Sequence, residues 1–76
     1  MLDPTSPRPL YQQLASIFRE QIQAGALQLG DSLESESEIA ERYGVARGTV
    51  RQAFDLLVEE GLLERVQGKG TYVIDP

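Results

Sequence analysis

Two arginines, Arg47 and Arg51, carry the most specific chemistry that the sequence offers. In a helix, residues four positions apart lie on one face, so both guanidinium groups would project from the same side. Each guanidinium group presents two parallel N–H donors, which match the O6 and N7 acceptors of guanine in the major groove of DNA. An arginine pair on a helix is more often a solvated surface, so the pair alone does not decide between these interpretations.

Two residues between the arginines suit contacts with a phosphate backbone. Gly48 has no Cβ and would let a phosphate come close, and Thr49 offers a hydroxyl group to a phosphate or a base. The unpaired N–H groups at a helix start also attract phosphate. A glycine in a first helical turn costs roughly 0.5–1 kcal/mol relative to alanine. No packing advantage compensates for it here, which favours a function for Gly48.

The apolar pattern predicts three helices. Their expected positions are about 10–24, 36–43 and 47–60. Ser35 and Glu38 have the spacing of a capping box at the start of the second helix, and Gly44 would end that helix in the left-handed conformation. A short helix, a turn with glycine and a further helix form the helix-turn-helix arrangement, whose second helix enters the major groove.

Two β-like runs follow the helices, at about 62–66 and 71–74, and are separated by Gln67-Gly68-Lys69-Gly70. Two glycines in so short a connection predict a hairpin. We therefore predict an α+β fold of the winged helix-turn-helix type, in which three helices precede a β-hairpin wing. We also allow for a short third strand near Leu33.

The tip of the hairpin has two interpretations. Gly68 and Gly70 could serve only to permit a tight turn, which is the commoner use of such glycines. As a wing, the hairpin would bring Lys69 to phosphates or the minor groove, and Gln67 to a sugar or base edge. We favour the wing because the hairpin follows a predicted recognition helix.

The chain divides at residue 10. Three prolines and the lack of an apolar period predict an extended tail for residues 1–9, and residues 10–76 are predicted to form the winged domain.

The sequence contains no run of about 18 apolar residues that could span a bilayer. The first residues also lack the pattern of a signal peptide. We therefore expect a cytoplasmic protein with no membrane partner.

The net charge of −5 argues at first against nucleic-acid binding, whose footprint is normally basic. The charges are segregated, however, because no acid occurs between Tyr43 and Phe54. Five of the seven cations lie in the second half of the sequence, at Arg42, Arg47, Arg51, Arg65 and Lys69. One positive face is therefore compatible with the acidic total.

The sequence contains neither cysteine nor histidine. This excludes disulfides, zinc sites with thiolate or imidazole ligands, and catalysis by a histidine base or a cysteine nucleophile. Glu34, Glu36 and Glu38 alternate along the chain and do not share a helix face, so we interpret them as capping or solvated acids rather than as a metal site. We expect no catalytic residue, no cofactor and no metal.

These residues resemble the N-terminal domain of GntR-family transcription regulators. The resemblance extends over nearly everything after residue 9. It rests on the helix-start motif Gly44-Val45-Ala46-Arg47-Gly48-Thr49-Val50-Arg51 together with the wing motif Gly68-Lys69-Gly70-Thr71. Ser35-Glu36-Ser37-Glu38 and the Arg-Gly-Thr-Val-Arg-Gln run are most similar to the HutC branch. The resemblance implies a homodimeric repressor that binds inverted repeats of double-stranded DNA. It also implies a small-molecule effector that releases the DNA by binding a C-terminal domain, which we expect outside this chain.

The resemblance assigns DNA contacts to the positions of Arg47, Thr49, Arg51 and Gly68. We add Ser35 and Ser37 at the start of the second helix, although Ser37 stands where other branches often have an arginine that touches DNA. Glu34 replaces the usual proline of the family. Ala46 replaces a serine that normally caps the recognition helix, a change that typically costs about 1 kcal/mol. Both departures predict weaker DNA binding without a change of fold.

Two other classes of function stay open. The acidic total favours a winged helix that binds another protein, and such a module would not bind palindromic DNA even at low salt. An enzyme is disfavoured, because the common catalytic side chains are absent and so short a chain has little room for a sizeable pocket. The DNA interpretation requires both arginine side chains to be exposed and not paired with neighbouring carboxylates.

Overall fold

The computed structural model describes residues 2–74. Met1, in the predicted tail, and residues 75–76, in the predicted domain, lie outside the described residues. Five elements follow one another in the order α1 (Leu10–Gln23), α2 (Glu36–Tyr43), α3 (Arg47–Glu59), β1 (Leu63–Val66) and β2 (Gly70–Val73). The predicted three helices and hairpin are confirmed, and each predicted end differs from the observed one by at most one residue.

The core lies between the three helices and the base of the hairpin. The ring of Phe18 on α1 meets the rings of Tyr43 and Phe54 edge-on, with centroid distances of 6.1 Å and 6.0 Å. This geometry is favourable because the positive edge of one ring faces the negative face of the other. Further buried apolar side chains come from all five elements: Leu14, Ala15, Ile39, Ala40, Val50, Ala53, Leu57, Leu63 and Val73.

The ends of α2 are fixed by local hydrogen bonds and by one glycine. The Ser35 hydroxyl accepts from the N–H of Glu38, and the Glu38 carboxylate accepts from the N–H of Ser35, both at 3.1 Å. The bond from the Ser35 backbone, followed by the contact with its hydroxyl, lowers the pKa of the Glu38 carboxyl below its ordinary value. Gly44 ends the helix in the left-handed conformation (φ 68°, ψ 36°), so the chain turns directly into α3.

The hairpin forms the predicted wing. β1 and β2 pair antiparallel, with Leu63 opposite Val73 and Val66 opposite Gly70. Leu63 and Val73 are buried, whereas the connecting residues 67–69 are exposed. The hairpin is therefore anchored at its base and extends its tip into solvent.

The linker between α1 and α2 lies along the other side of β2. The N–H of Leu33 donates to the carbonyl of Thr71 at 2.8 Å, and Ser32 forms an isolated antiparallel bridge with Tyr72. The third strand expected near Leu33 is reduced to this bridge. The linker turns at Gly30 (φ 85°) and enters α2 after Ser35, so few residues are left to extend the pairing.

Residues 2–9 do not form the extended tail that the prolines predicted. The buried Gln13 amide on α1 holds this segment. Its Oε1 accepts from the N–H of Asp3 at 2.7 Å, and its Nε2 donates to the carbonyls of Asp3 at 3.0 Å and Arg8 at 2.9 Å. Leu2 packs against the core. The segment folds back because a buried amide needs hydrogen-bond partners, and the backbone of this segment supplies them.

Candidate nucleic-acid interface

The start of α3 places the predicted recognition residues on its outer face. Arg47, Gly48 and Arg51 are exposed and Thr49 is half-buried, whereas Val50 is fully buried. Val50 and the apolar residues that follow it hold the inner face of the helix against the core. The two guanidinium groups therefore project from the side that faces solvent.

The first turn of α3 is open at its N-terminal end. Ala46 has the extended backbone of an N-cap residue (φ −69°, ψ 150°) but no side chain that could cap the helix. Its carbonyl accepts from the N–H of Thr49 at 3.0 Å. Within residues 2–74, the N–H groups of Arg47 and Gly48 have no hydrogen-bond partner. Unpaired donors at the positive end of the helix dipole attract anions.

Gly48 is not required by the fold. A Cβ at this position would meet no atom within 4 Å, and the backbone does not adopt a positive φ. Alanine would therefore be the more stable residue here, by about 0.5–1 kcal/mol. The fold therefore gives no reason for a glycine here, and the close approach of a binding partner at Gly48 stays a prediction.

The two arginines differ in their surroundings. Arg47 forms no ion pair within the described residues. In Arg51, both Nε and Nη2 lie 3.4 Å from Oε1 of Glu36. These distances exceed the roughly 2.7–2.9 Å of strong charge-assisted hydrogen bonds, and the Arg51 side chain stays 58% exposed. The condition that neither arginine be paired is thus met by Arg47 and only in part by Arg51.

The wing tip presents the other predicted residues. Gln67, Gly68 and Lys69 are exposed, and Gly70 begins β2. The N–H of Lys69 donates to the carbonyl of Val66 at 2.9 Å, which closes the turn. Gly68 lies in the left-handed region (φ 79°), so the turn itself requires a glycine there. Lys69 has no ion-pair partner in the part of the chain that the structure describes.

A groove of about 730 Å³ separates the wing from the start of α2. Ser35 and Glu36 line one wall, and residues 67–70 line the other. The structure thus brings Ser35 and the wing together. Ser37 is exposed but does not line the groove.

Glu34, the acid in place of the family's proline, is paired. Its Oε1 lies 2.6 Å from Nη1 of Arg42. The same guanidinium group donates to the hydroxyl of Tyr43 at 3.1 Å and lies 5.0 Å from the centroid of its ring. The bond to Tyr43 and, to a lesser extent, the charge of Glu34 raise the pKa of Arg42. The pairing offsets part of the repulsion between Glu34 and a nucleic acid.

Two charged residues of this surface, Glu36 and Arg65, were not predicted as site residues. Arg65 on β1 reaches Asp55 on α3, with 2.7 Å between Nη1 and Oδ1, and its Nη2 lies 3.8 Å from Oε2 of Glu36. The spacing rules for helices and strands do not link residues so far apart in sequence. Only the fold brings them together.

The exposed hydrogen-bond donors of this surface are guanidinium, ammonium, hydroxyl and backbone N–H groups, which suit an anionic ligand rich in hydrogen-bond acceptors. In the part of the chain described, no helix combines the length and the apolar character needed to cross a bilayer. Over the same residues, no three acidic side chains lie close enough together to hold a metal ion.

Comparisons with known proteins agree with this geometry. Residues 10–73 match the family of bacterial regulatory proteins called the gntR family. The mannosyl-D-glycerate transport/metabolism system repressor MngR of Escherichia coli (strain K12) is 53% identical over 66 residues, which cover 87% of this chain and 28% of MngR. The histidine utilization repressor of Klebsiella aerogenes is 36% identical over 72 residues, which cover 95% of this chain and 30% of that repressor, and supports the HutC-like resemblance. The chain therefore spans less than a third of the length of these relatives.

A solved structure, that of AraR(DBD) in complex with operator ORX1, superposes on this fold with a TM-score of 0.86. The two sequences are 35% identical, and the match covers 96% of this chain and 90% of that chain. The shared elements include both the helices and the hairpin. The chain thus belongs to the gntR family of bacterial regulatory proteins and folds as a winged helix-turn-helix domain.

Proposed function

We propose that the chain is the domain through which a transcription repressor binds its operator by sequence. The observation that carries this proposal is the exposed pair Arg47 and Arg51 at the open start of α3, beside a glycine that the fold does not require. The start of α3 lies in the major groove, where both guanidinium groups donate to base edges. Gly48 and Thr49 lie against a phosphate.

The wing contacts the DNA that flanks this groove. Residues 67–70 lie on the backbone or in the minor groove, where Lys69 supplies positive charge and Gln67 bonds a sugar or base edge. Ser35, on the opposite wall of the groove between α2 and the wing, donates its hydroxyl proton to a phosphate. Ser37 makes a weaker backbone contact, since it is exposed but stands apart from the wing.

The comparisons and the charges support this proposal. Both relatives are named repressors rather than enzymes, and the solved neighbour is a DNA-binding domain on an operator. The acidic total does not oppose it. Glu34, Glu36 and Asp55 are paired with arginines, whereas Arg47 and Lys69 are available to DNA.

For the full-length regulator, we propose a cytoplasmic homodimer whose two winged domains bind the halves of an inverted repeat. A small-molecule effector then binds a domain other than this one. The length of the relatives supports a further domain in the full-length regulator, because each is more than three times as long as the segment that matches. The division at residue 10 stays a prediction, and the packing of residues 2–9 on α1 favours counting them with the domain.

Selection of bound sites from random DNA tests the proposal, followed by titration of the selected duplex at several salt concentrations. Affinity should fall steeply with salt, because phosphate contacts release counterions. Arg47→Ala and Arg51→Ala should each cost about 1–3 kcal/mol and relax the preference at one base pair, whereas Lys69→Ala should weaken all sequences similarly. The matched control is Arg8→Ala. It removes the same charge from an exposed arginine bonded to Ser16, and should leave base preference unchanged.

The result at low salt separates the two remaining functions. If the wild-type chain binds no selected duplex there, the proposal is wrong and a protein-interaction module is favoured. If Arg51→Ala keeps the full base preference, only the assignment of Arg51 is wrong.

A further inference from the structure

Glu36 lies between two arginines on the surface proposed to bind DNA. Its Oε1 is 3.4 Å from Nε and Nη2 of Arg51, and its Oε2 is 3.8 Å from Nη2 of Arg65. The Glu36 side chain is 24% exposed, against 58% for Arg51. A half-buried carboxylate therefore contacts one of the two guanidinium groups assigned to base contacts.

Arg65 is held in place independently of Glu36. Its Nη1 lies 2.7 Å from Oδ1 of Asp55, and its Nη2 donates to the carbonyl of Arg51 at 3.2 Å. Both contacts are with α3, although Arg65 itself belongs to β1. Arg65 thus supplies a fixed positive charge beside Glu36, which reduces the repulsion between this carboxylate and the phosphates of DNA.

The contact with Glu36 orients the guanidinium group of Arg51 but leaves this group exposed to a binding partner. Glu36 contacts the edge formed by Nε and Nη2, which leaves the adjacent edge, formed by Nη1 and the second N–H of Nη2, open to a partner. Bidentate recognition of guanine needs two parallel N–H groups on one edge, and this edge has them. A weak contact at the Nε/Nη2 edge restricts the rotamers of a long side chain before it binds, so less entropy is lost on binding.

We infer that Glu36 is a positioning residue for Arg51 and thereby sets how strictly the protein discriminates at the base pair that Arg51 contacts. The inference rests on the proposed function. Arg47 has no such carboxylate within the described residues, so its base pair should be read less strictly.

The experiment compares two duplexes. The first is the sequence that the wild-type chain selects from random DNA. The second differs at the base pair where Arg51→Ala loses its preference. The ratio of the two dissociation constants measures discrimination at that base pair. Glu36→Gln should reduce the ratio about two- to fivefold, the range expected when an exposed ion pair is lost. A third duplex, altered at the base pair where Arg47→Ala loses its preference, gives the corresponding ratio for Arg47, which should not change.

Glu34→Gln is the matched control, because it removes one negative charge close by from a carboxylate that pairs with Arg42 instead. This variant should tighten binding to both duplexes by the same factor and leave the ratio unchanged. In the Arg51→Ala background, Glu36→Gln should have no effect on the ratio, because the side chain that it positions is gone. Glu36→Asp keeps the charge but shortens the side chain, and should lower the ratio to a smaller extent.

Two results would overturn the inference while leaving the proposed function intact. In the first, Glu36→Gln tightens both duplexes as Glu34→Gln does, which makes Glu36 a repulsive acid only. In the second, the ratios at the Arg47 and Arg51 base pairs fall together, which indicates a general effect on the fold. Failure of the wild-type chain to select any DNA would overturn the proposed function, and this inference with it.

Discussion

Ala46 precedes the first residue of α3 and leaves that helix without a side-chain cap. Its backbone angles (φ −69°, ψ 150°) nearly equal those of Ser35 (φ −64°, ψ 159°), which caps α2. A serine at position 46 can therefore accept a bond from the N–H of Gly48, which has no partner within residues 2–74, or from that of Thr49, which otherwise donates to the Ala46 carbonyl. The Ala46→Ser substitution should stabilise the fold by about 1 kcal/mol.

This free energy corresponds to a measurable shift in the melting temperature. A domain of this size unfolds with an entropy of about 160 cal/mol/K, so about 1 kcal/mol raises the melting temperature by about 6 °C. Thermal unfolding followed by far-UV circular dichroism measures this shift. The control is Ala26→Ser, in the exposed linker between α1 and α2 where no helix begins, and it should leave the melting temperature unchanged.

A rise of less than about 1 °C for Ala46→Ser would contradict the reasoning. It would mean that water already bonds the N–H groups at the start of α3 as effectively as a serine hydroxyl group would. An equal rise for Ala26→Ser would also contradict it, because the gain would then not come from capping. Either result would remove the physical basis for treating the start of α3 as an open anion site.

Three further substitutions test other parts of the structure. Gly48→Ala should stabilise the fold by about 0.5–1 kcal/mol in urea denaturation yet weaken binding to the selected DNA duplex, and a gain in both would contradict the role of Gly48 at a phosphate. Gln13→Leu should destabilise the fold by about 1–3 kcal/mol in the same assay, because the backbone of residues 2–9 loses its buried partners, and an unchanged midpoint would show that this segment is not held by the amide. Hydrogen bonds from Ser35 lower the pKa of Glu38 below its ordinary value of 4.5. The carboxylate therefore stabilises the fold fully above that value, and the contribution is lost as the pH falls through the folded-state pKa. In thermal melts at several pH values, the melting temperature of the wild type should exceed that of Glu38→Gln near neutral pH, and the two melting temperatures should converge in acid. A difference in melting temperature that does not change with pH would contradict this prediction.

The elements of the fold were predictable because their signals are local. The capping box of Ser35 and the left-handed Gly44 fix both ends of α2, and the apolar stripe of α3 sets its buried face. The conformation of residues 2–9 was predicted incorrectly, because the three prolines were weighed without the buried amide of Gln13. A glutamine in an amphipathic helix is expected at the surface, and only the packing of the folded chain shows that Gln13 is buried.

The exposure of the candidate donors could be predicted from the sequence, but their ion-pair partners could not. Helical spacing and the position of the hairpin tip place Arg47, Arg51 and Lys69 at the surface, and their role in DNA binding stays a prediction. Glu36 and Arg65 belong to different elements, and their contact with α3 depends on how β1 packs against that helix. No signal in a single sequence reports such a contact.

The pairing of β2 on both sides has a consequence for how copies of this domain can associate. One side is bonded to β1, and the other is bonded to the linker through Asp31 and Leu33. The carbonyl of Thr71 and the N–H and carbonyl of Val73 are therefore already bonded and are not available to a strand from a neighbouring molecule. The outer edge left in this small sheet belongs to β1, whose two central residues, Glu64 and Arg65, are charged and exposed, and such residues disfavour edge-to-edge joining. Crowding of many copies along a stretch of DNA should for this reason not lead to sheet-mediated aggregation.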